Sequence, residues 1–382
     1  MSVERKLLSI SIARFSDSFG GGMAYFALPI LIASLSIDGI PVDAASGIVI
    51  SLWGMFATLS QPFTGKIIEK SGKPKRYLAG SLILTSLLIF LYSRIENISE
   101  LVLLRAFLGI VESFMLVSSL TIVLYISGKK KGEGFGIYNT FTDLGFSISP
   151  TAAGFMIFYG INTVFYFSAI LVLVSSIGIL LFVEDIEIRE KSKKRSSLRN
   201  LNREAIPVFI SLSFAVAMMS SIVPLENSFL TRLNITPLEF GISFTLYLLI
   251  RTLSNTPAGI LTDRFGGWRV YAISSVLLSI TGLFFLIESF FAFLLVRFIQ
   301  GLIVAMVYTS SAVYVAEKSN LGYAMSMGLL SSSITAGLTA GPLIAGLVSG
   351  YIGFDYVYIL FSLMVSLPVT AKKFLKGSAT TL

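Results

Sequence analysis

Twelve apolar segments, each long enough to cross a lipid bilayer as a helix, dominate this sequence. They run over residues 7–35, 44–66, 77–94, 100–127, 135–159 and 161–183, and then over 205–231, 238–262, 268–287, 290–316, 322–350 and 353–371. The hydrocarbon core of a bilayer is about 30 Å thick, and a helix crosses it with about 20 residues. With 54% apolar and 13% charged residues, the chain differs from ordinary soluble domains. We predict an all-α membrane protein with twelve transmembrane helices.

A charged stretch between the sixth and seventh apolar segments divides the sequence into two halves. Seven of the residues from Arg189 to Arg203 are Lys or Arg. We therefore expect an N-terminal six-helix bundle at residues 1–183, a cytoplasmic linker at 184–204 and a C-terminal six-helix bundle at 205–382. Because two such bundles bury each other's surfaces, we expect a monomer.

The distribution of basic residues predicts the orientation of the chain. With the amino terminus in the cytoplasm, the loops on that side hold 23 of the 29 Lys and Arg residues, and the opposite loops hold two, Arg94 and Arg232. Loops rich in Lys and Arg stay in the cytoplasm. We predict an integral protein of the plasma (cytoplasmic) membrane with both termini in the cytoplasm. Since the net charge of +8 resides mainly in these loops, it does not indicate a nucleic-acid partner.

Several kinds of chemistry are excluded by the residues that the chain lacks. It has no cysteine and no histidine, which excludes disulfides, thiolate metal sites and a histidine proton shuttle. The sequence shows no metal-ligand cluster, nucleophile–base pair or phosphate-binding loop. We therefore expect neither an enzyme nor a bound cofactor or metal. A proton or another coupling ion would have to bind to carboxylates.

Two short basic loops share one pattern, a glycine followed by an acid, a base and a second glycine. Each lies between the second and third apolar segments of its own half, 194 residues apart. The first copy consists of Gly65, Glu69, Lys70 and Gly72, followed by Lys75 and Arg76. The second copy consists of Gly259, Asp263, Arg264 and Gly266. Two copies in register indicate that a membrane domain was duplicated.

Two further elements repeat at an offset of 192 residues. Arg105 and Gly109 in the fourth segment correspond to Arg297 and Gly301 in the tenth. In the fifth and eleventh segments, the small residues and prolines that correspond are Gly145, Pro150 and Gly154 in the first half and Gly337, Pro342 and Gly346 in the second, with Gly341 at the position of Ser149. Small side chains on one helix face allow close crossings, and proline bends the helix. Duplicated halves are the usual construction of secondary transporters.

These residues resemble motifs of the Major Facilitator Superfamily, and the resemblance covers essentially the whole chain. The two basic loops are similar to the family's signature between its second and third spans, and Arg105 is similar to its fourth-span motif. The stretch from Gly341 to Gly346 resembles the glycine–proline motif of antiporters in the family. That motif belongs to the fifth span, where this chain has Ser149 and Pro150.

The resemblance implies a fold of two six-helix bundles and transport by alternating access. It also implies that the two basic loops act in the conformational change and that the chain is similar to the drug–proton antiporter branch. Glu69 stands where the family usually has Asp.

Eight charged residues lie inside the predicted spans. The acids are Asp17, Glu112, Asp143 and Glu226, and the bases are Arg14, Arg105, Arg251 and Arg297. Because charges in a bilayer are costly, each is a candidate for binding a proton or the substrate. The alternative is that they form structural ion pairs.

The positions of these charges rank them as candidate sites. Asp17, three residues after Arg14 on one helix face, and Glu112 are the favoured proton or cation sites, with Asp143 third and Glu226 nearer the outer surface. We expect Arg105 to regulate these sites. Arg251, with Asn255 one turn further on, is a candidate substrate contact.

Two classes of transport remain open from the sequence. The favoured function is proton-coupled export of amphiphilic or lipophilic small molecules. The alternative is a proton symporter or facilitator for a hydrophilic metabolite such as a sugar or an organic anion, which would need more polar residues facing the substrate.

Overall fold

The computed structural model describes residues 3–35, 39–127, 131–185, 205–318 and 323–378. The regular structure in these ranges is helical, with thirteen α-helices, one 3-10 turn and no strand. The six helices of the first half are α1 (Val3–Ser34), α2 (Val42–Ser71), α3 (Pro74–Tyr92), α4 (Ile98–Ile126), α5 (Lys131–Ile157) and α6 (Ile161–Phe182). They confirm the six apolar segments predicted for this half.

The helix α2 is longer than its apolar segment. It continues through Gly65, Glu69 and Lys70 to Ser71, so most of the first predicted loop is helical. The true connection to α3 is short because Gly72 adopts a left-handed backbone with φ of 67° and Pro74 begins the next helix. Glycine tolerates this conformation just after a helix end.

The second half contains one helix more than predicted. Its helices are α7 (Ile206–Ser220), α8 (Glu226–Leu233), α9 (Pro237–Phe265), α10 (Gly267–Leu283), α11 (Phe290–Lys318), α12 (Tyr323–Tyr351) and α13 (Phe354–Ser378), with a 3-10 turn at Phe284–Leu286 after α10. The predicted seventh span, residues 205–231, is broken between α7 and α8. Pro224 lies in this break and has no backbone N–H for a helical hydrogen bond.

Length and apolar composition identify seven of the described helices as able to cross a membrane. They are α2, α3, α4, α6, α10 with its 3-10 turn, α11 and α12, and α8 with α9 makes an eighth if this pair, bent by 112°, is counted as one span. The shorter apolar helices are α7 and the first part of α13. Large apolar side chains more than 60% exposed include Leu59, Leu103, Leu181, Leu253 and Phe291. This surface fits a lipid environment and confirms the all-α membrane fold.

The chain forms two compact units. Unit 1 comprises Met1–Gly39, Leu52–Ser192 and Ile235–Thr245, and unit 2 comprises Ile40–Ser51, Lys193–Asn234 and Leu246–Leu382. In unit 1, α1 packs against α5 and α6, and α3 packs against α4 and α6. In unit 2, α7 packs against α12 and α13, and α10 packs against α11 and α13.

The units differ from the predicted division of the chain by two short segments. The amino-terminal end of α2 belongs to unit 2, and the amino-terminal end of α9 belongs to unit 1. The boundaries at residues 183 and 205 remain a prediction. Most of the predicted linker at 184–204, with its seven basic residues, lies outside the described residues.

Candidate functional site

The structure brings Arg14 and Asp17 together on α1, as their spacing predicts. An Arg14 Nη1 donates a hydrogen bond to Asp17 Oδ2, and the two groups form an ion pair. Asp17 is 5% exposed. The same Nη1 lies 2.9 Å from the Met115 sulfur on α4. A charged pair thus lies inside unit 1, with Asp17 buried, Arg14 half-buried and an apolar, polarisable side chain against them.

A small cavity with both polar and apolar lining residues lies beside this ion pair, with room for about one water molecule. Besides Arg14 and Asp17, its polar lining consists of Ser119, Tyr138 and Ser175. The Tyr138 hydroxyl donates to Ser119 Oγ at 2.8 Å. The ion pair is therefore next to hydroxyl groups as well as to apolar side chains.

Glu112 on α4 forms the second part of the same group of charges. Trp53 of α2 donates its indole N–H to Glu112 Oε2 at 2.8 Å. Arg14 and the buried Arg105 are both close enough to act electrostatically on this carboxylate. The structure thus assembles two predicted acids and two predicted bases in unit 1. Trp53 was not among the predicted site residues, because sequence periodicity does not show which residue of one helix faces another.

Asp143 is the third predicted acid in unit 1. It lies on α5 and is half-buried. Its main-chain carbonyl accepts a hydrogen bond of 2.6 Å from Ser147 Oγ. Its role as a proton site stays a prediction.

Glu226 lies in unit 2 as the first residue of α8 and is 2% exposed. Its Oε2 has no hydrogen-bond partner among the described residues. The break after α7 therefore places a carboxylate in the interior of unit 2. The sequence predicted a continuous helix here, so it did not predict this position at a helix start.

Arg251 and Asn255 lie one turn apart on α9, as predicted, in different environments. Arg251 is half-buried, with its guanidinium 6.0 Å from the centre of the Tyr308 ring. Asn255 is exposed. Arg251 thus has an aromatic neighbour suited to a cation–π contact, and the two residues stay predicted substrate contacts.

Arg297 is the fully buried counterpart of Arg105 in unit 2. Its guanidinium lies 4.0 Å from the centre of the Tyr247 ring. It also donates from Nη1 to Gln300 Oε1 at 3.3 Å. These contacts fix the arginine against an aromatic face.

The two copies of the repeated loop motif carry exposed charges. Glu69 and Lys70 at the end of α2 are exposed, as are Asp263 and Arg264 at the end of α9. Near the first copy, Lys75 Nζ lies 3.8 Å from Asp185 Oδ1. A role of these residues in conformational change remains a prediction.

Comparison with known proteins places this architecture in a family. The chain matches the Major Facilitator Superfamily over residues 10–229 and again over residues 208–367. Its curated relatives include the multidrug resistance protein MdtG of Proteus mirabilis (strain HI4320), at 27% identity over 63% of this chain and 62% of that protein. MdtG of Salmonella choleraesuis (strain SC-B67) is 24% identical over 72% of this chain and 71% of that protein. The chain thus spans slightly less than two thirds of the Proteus mirabilis protein.

Solved structures share the fold at low sequence identity. The crystal structure of the nucleoside transporter NupG aligns with a TM-score of 0.76 and 16% identity, over 98% of both chains. A bacterial homologue of the human lysosomal transporter Spinster aligns with a TM-score of 0.75 and 14% identity, over 97% of this chain and 96% of that chain. The match to the family over both halves shows that this chain belongs to the Major Facilitator Superfamily, a family of integral membrane transporters and not of enzymes.

Proposed function

We propose that this protein exports amphiphilic or lipophilic compounds in exchange for protons. The observation that carries the proposal is the group of charges in unit 1, where Asp17 is buried against Arg14 and Glu112 accepts a hydrogen bond from Trp53. Ionisable residues inside membrane segments commonly form proton relays and substrate sites. The names of the MdtG relatives support a multidrug substrate class.

Each carboxylate has a partner whose interaction changes when the carboxylate binds a proton. Protonation of Asp17 removes the negative charge that Arg14 contacts, and the freed guanidinium then favours a different arrangement of its neighbours. A bound proton shifts a conformational equilibrium only if it has different free energies in the two states. The ion pair supplies such a difference.

Trp53 and Glu112 together suit a lipophilic cation. The half-buried indole offers an aromatic surface, and the carboxylate that it contacts offers a negative charge. Cations bind to tryptophan faces more strongly when both are shielded from water. A cationic substrate at Glu112 would compete with a proton for the same carboxylate, which is the simplest form of exchange.

The remaining parts of the proposal concern the membrane. We propose that the protein lies in the plasma membrane with both termini in the cytoplasm, because the loops of one side hold 23 basic residues. We also propose a monomer, because two bundles bury each other's surfaces. The bacterial relatives support this location. Transport would proceed by alternating access.

Proton release on ligand binding tests the proposal. Purified protein in weakly buffered detergent solution is mixed with lipophilic cations, and the change in pH is recorded for the wild type, Asp17→Asn and Glu112→Gln. We expect the wild type to release protons and at least one variant to lose this release. Glu96→Gln, which changes an exposed acid between α3 and α4, is the matched control and should behave as the wild type.

Binding without proton release would contradict proton antiport. In that case hydrophilic solutes, including sugars and organic anions, would be tested for uptake into vesicles. Uptake of such a solute that depends on a proton gradient would favour symport instead.

A further inference from the structure

The amino-terminal end of α2 contains a buried carboxylate that the proposed exchange of protons does not use. Asp43 is 8% exposed and lies in the segment of α2 that belongs to unit 2. Its Oδ2 accepts one hydrogen bond of 2.6 Å from Ser228 Oγ on α8 and another of 2.5 Å from Ser349 Oγ on α12. One carboxylate oxygen thus joins three helices of unit 2.

Close backbone contact explains why these groups meet. A Cβ added at Gly346 of α12 would overlap the main-chain oxygen of Asp43, and one added at Gly47 of α2 would overlap that of Pro342. Only glycine permits such an approach of two helices. The contact brings the Asp43 side chain within reach of Ser349. The hydrogen bond from Ser349 to Asp43 therefore lies directly beside the close crossing of α2 and α12.

Hydrogen bonds from neutral hydroxyl groups, and not an ion pair, hold the Asp43 carboxylate in place. Within the described ranges, no Lys or Arg forms an ion pair with Asp43, and its partners are two neutral hydroxyl groups. On α8 the titratable groups are the buried Glu226 and Arg232, whose guanidinium forms an ion pair with Asp355 of α13. The exposed Tyr351 lies on α12, and the buried Tyr358 on α13 lies within electrostatic range of Asp43. The strength of the contact thus depends mainly on the charge of Asp43 itself.

We propose that Asp43 is a proton-binding site whose ionised form fastens the amino-terminal end of α2 to α8 and α12, and whose protonation releases it. We call Asp43, Ser228 and Ser349 the α2 latch. Hydrogen bonds to an ionised acceptor are about twice as strong as those between neutral groups. Binding a proton therefore weakens both hydrogen bonds at once. This inference goes beyond the proposed export and does not depend on which carboxylate exchanges with substrate.

The absence of cysteine from the sequence allows a direct test. Ser46, one turn after Asp43, is fully buried, so a cysteine in Ser46→Cys reacts with a maleimide only when the end of α2 moves away. Ile40→Cys, at a residue that is 42% exposed at the same end, gives the reference rate at each pH. The measured quantity is the ratio of the two rates in purified protein without substrate.

We expect the ratio to rise about fivefold or more when Asp43→Ala is added, and less when Asp43→Asn is added, because Asn keeps an acceptor without the charge. Ser228→Ala with Ser349→Ala should act as Asp43→Ala does. Lowering the pH from about 7.5 to about 5.5 should raise the ratio in the wild type and leave it unchanged in Asp43→Ala. Glu317→Gln, which changes an exposed acid on α11 in unit 2, is the control and should have no effect.

Two results would overturn the inference. If Asp43→Ala and the double serine variant react at the wild-type ratio, the latch does not hold α2. If they react faster but neither Asp43→Asn nor low pH changes the ratio, Asp43 is a structural residue and not a proton site. Because no substrate is present, either result is separate from a failure of the proposed transport.

Discussion

The helices α5 and α12 occupy corresponding positions in the two halves and make the same crossing with exchanged residues. On α5, Ser149 lies against Gly22 of α1, where an added Cβ would overlap the serine side chain. On α12 the glycine is Gly341, and it lies against Ser220 of α7. Each crossing thus uses one glycine and one serine. Ser149 is not a damaged copy of a glycine motif, because the helix that it crosses supplies the glycine.

The comparison extends to the ends of these two helices. In unit 1, Cβ atoms added at Gly154 of α5 and Gly241 of α9 would overlap the main-chain oxygens of Pro237 and Pro150. In unit 2, Gly346 and Gly47 make the same contacts with Asp43 and Pro342. The corresponding residues are 192 residues apart on α5 and α12, and 194 apart on α9 and α2.

The two ends differ in the polar groups that they carry. Pro237 occupies the position that corresponds to Asp43, so the contact in unit 1 has no carboxylate at that position. Unit 1 has instead a neutral hydrogen bond of 2.8 Å from Thr151 to Thr245. Duplication thus preserved the backbone contact, while the two copies acquired different side-chain chemistry.

Larger side chains at the glycines of the shared backbone contact should lower the stability of the protein more than any other substitution considered below. We expect Gly154→Val and Gly346→Val each to destabilise the protein by about 3 kcal/mol, because the added atoms meet backbone atoms that cannot rotate away. The midpoint of thermal unfolding in detergent measures this change. Gly80→Ala, which adds a methyl group on α3 where no atom lies within 4 Å, should leave the midpoint unchanged or raise it. A loss at only one of the two glycines would break the equivalence.

Exchanging the glycine and the serine of one helix crossing should restore the stability that a single substitution removes. Gly341→Ser places a serine against Ser220, and we expect a loss of about 2 kcal/mol from overpacking. Adding Ser220→Gly recreates the arrangement of Gly22 and Ser149 and should recover at least half of the loss. Thermal unfolding of both single variants and the double variant gives the coupling energy. Strictly additive effects would show that the two crossings are not equivalent.

The helices α4 and α11 offer a comparison at the candidate site. A Cβ at Gly109 would meet the Trp53 carbonyl, and one at Gly301 would meet that of Tyr247. The side chains then differ, since Trp53 donates to Glu112 whereas Tyr247 presents its ring to Arg297. The aromatic side chain therefore contacts a carboxylate in unit 1 and an arginine in unit 2.

Removing the polar atom of each aromatic residue separates these two contacts. Trp53→Phe deletes the hydrogen bond to Glu112, and we expect a loss of about 1.5 kcal/mol in stability together with weaker binding of lipophilic cations. Tyr247→Phe keeps the ring beneath Arg297 and should change stability much less. Thermal unfolding and cation titration measure both. Equal effects would mean that the Trp53 contact with Glu112 has no special role.

Particular residues show how much of this arrangement the sequence contains. The apolar segments located the helices, and the spacing of Arg14 and Asp17 predicted their contact on one helix face. The second apolar segment begins at residue 44, one residue after Asp43, whereas α2 begins at Val42 and includes Asp43. The sequence did not predict the contact of Trp53 with Glu112. Periodicity shows which residues share a face of one helix, but the rotation of neighbouring helices decides which faces meet.

The smallest expected effect concerns the neutral hydrogen bond between α5 and α9 in unit 1. Thr151→Val removes the hydrogen bond to Thr245 with little change in shape, and we expect a loss of about 0.5 kcal/mol. Unlike the latch, this contact joins two neutral hydroxyl groups. Its contribution to stability should therefore be the same at pH 7.5 and at pH 5.5. Thermal unfolding at both pH values measures it, with Thr140→Val, an exposed threonine on the same helix, as the matched control. A pH-dependent effect of Thr151→Val would remove the contrast with Asp43, because the sensitivity to protons would then belong to the crossing as such and not to its carboxylate.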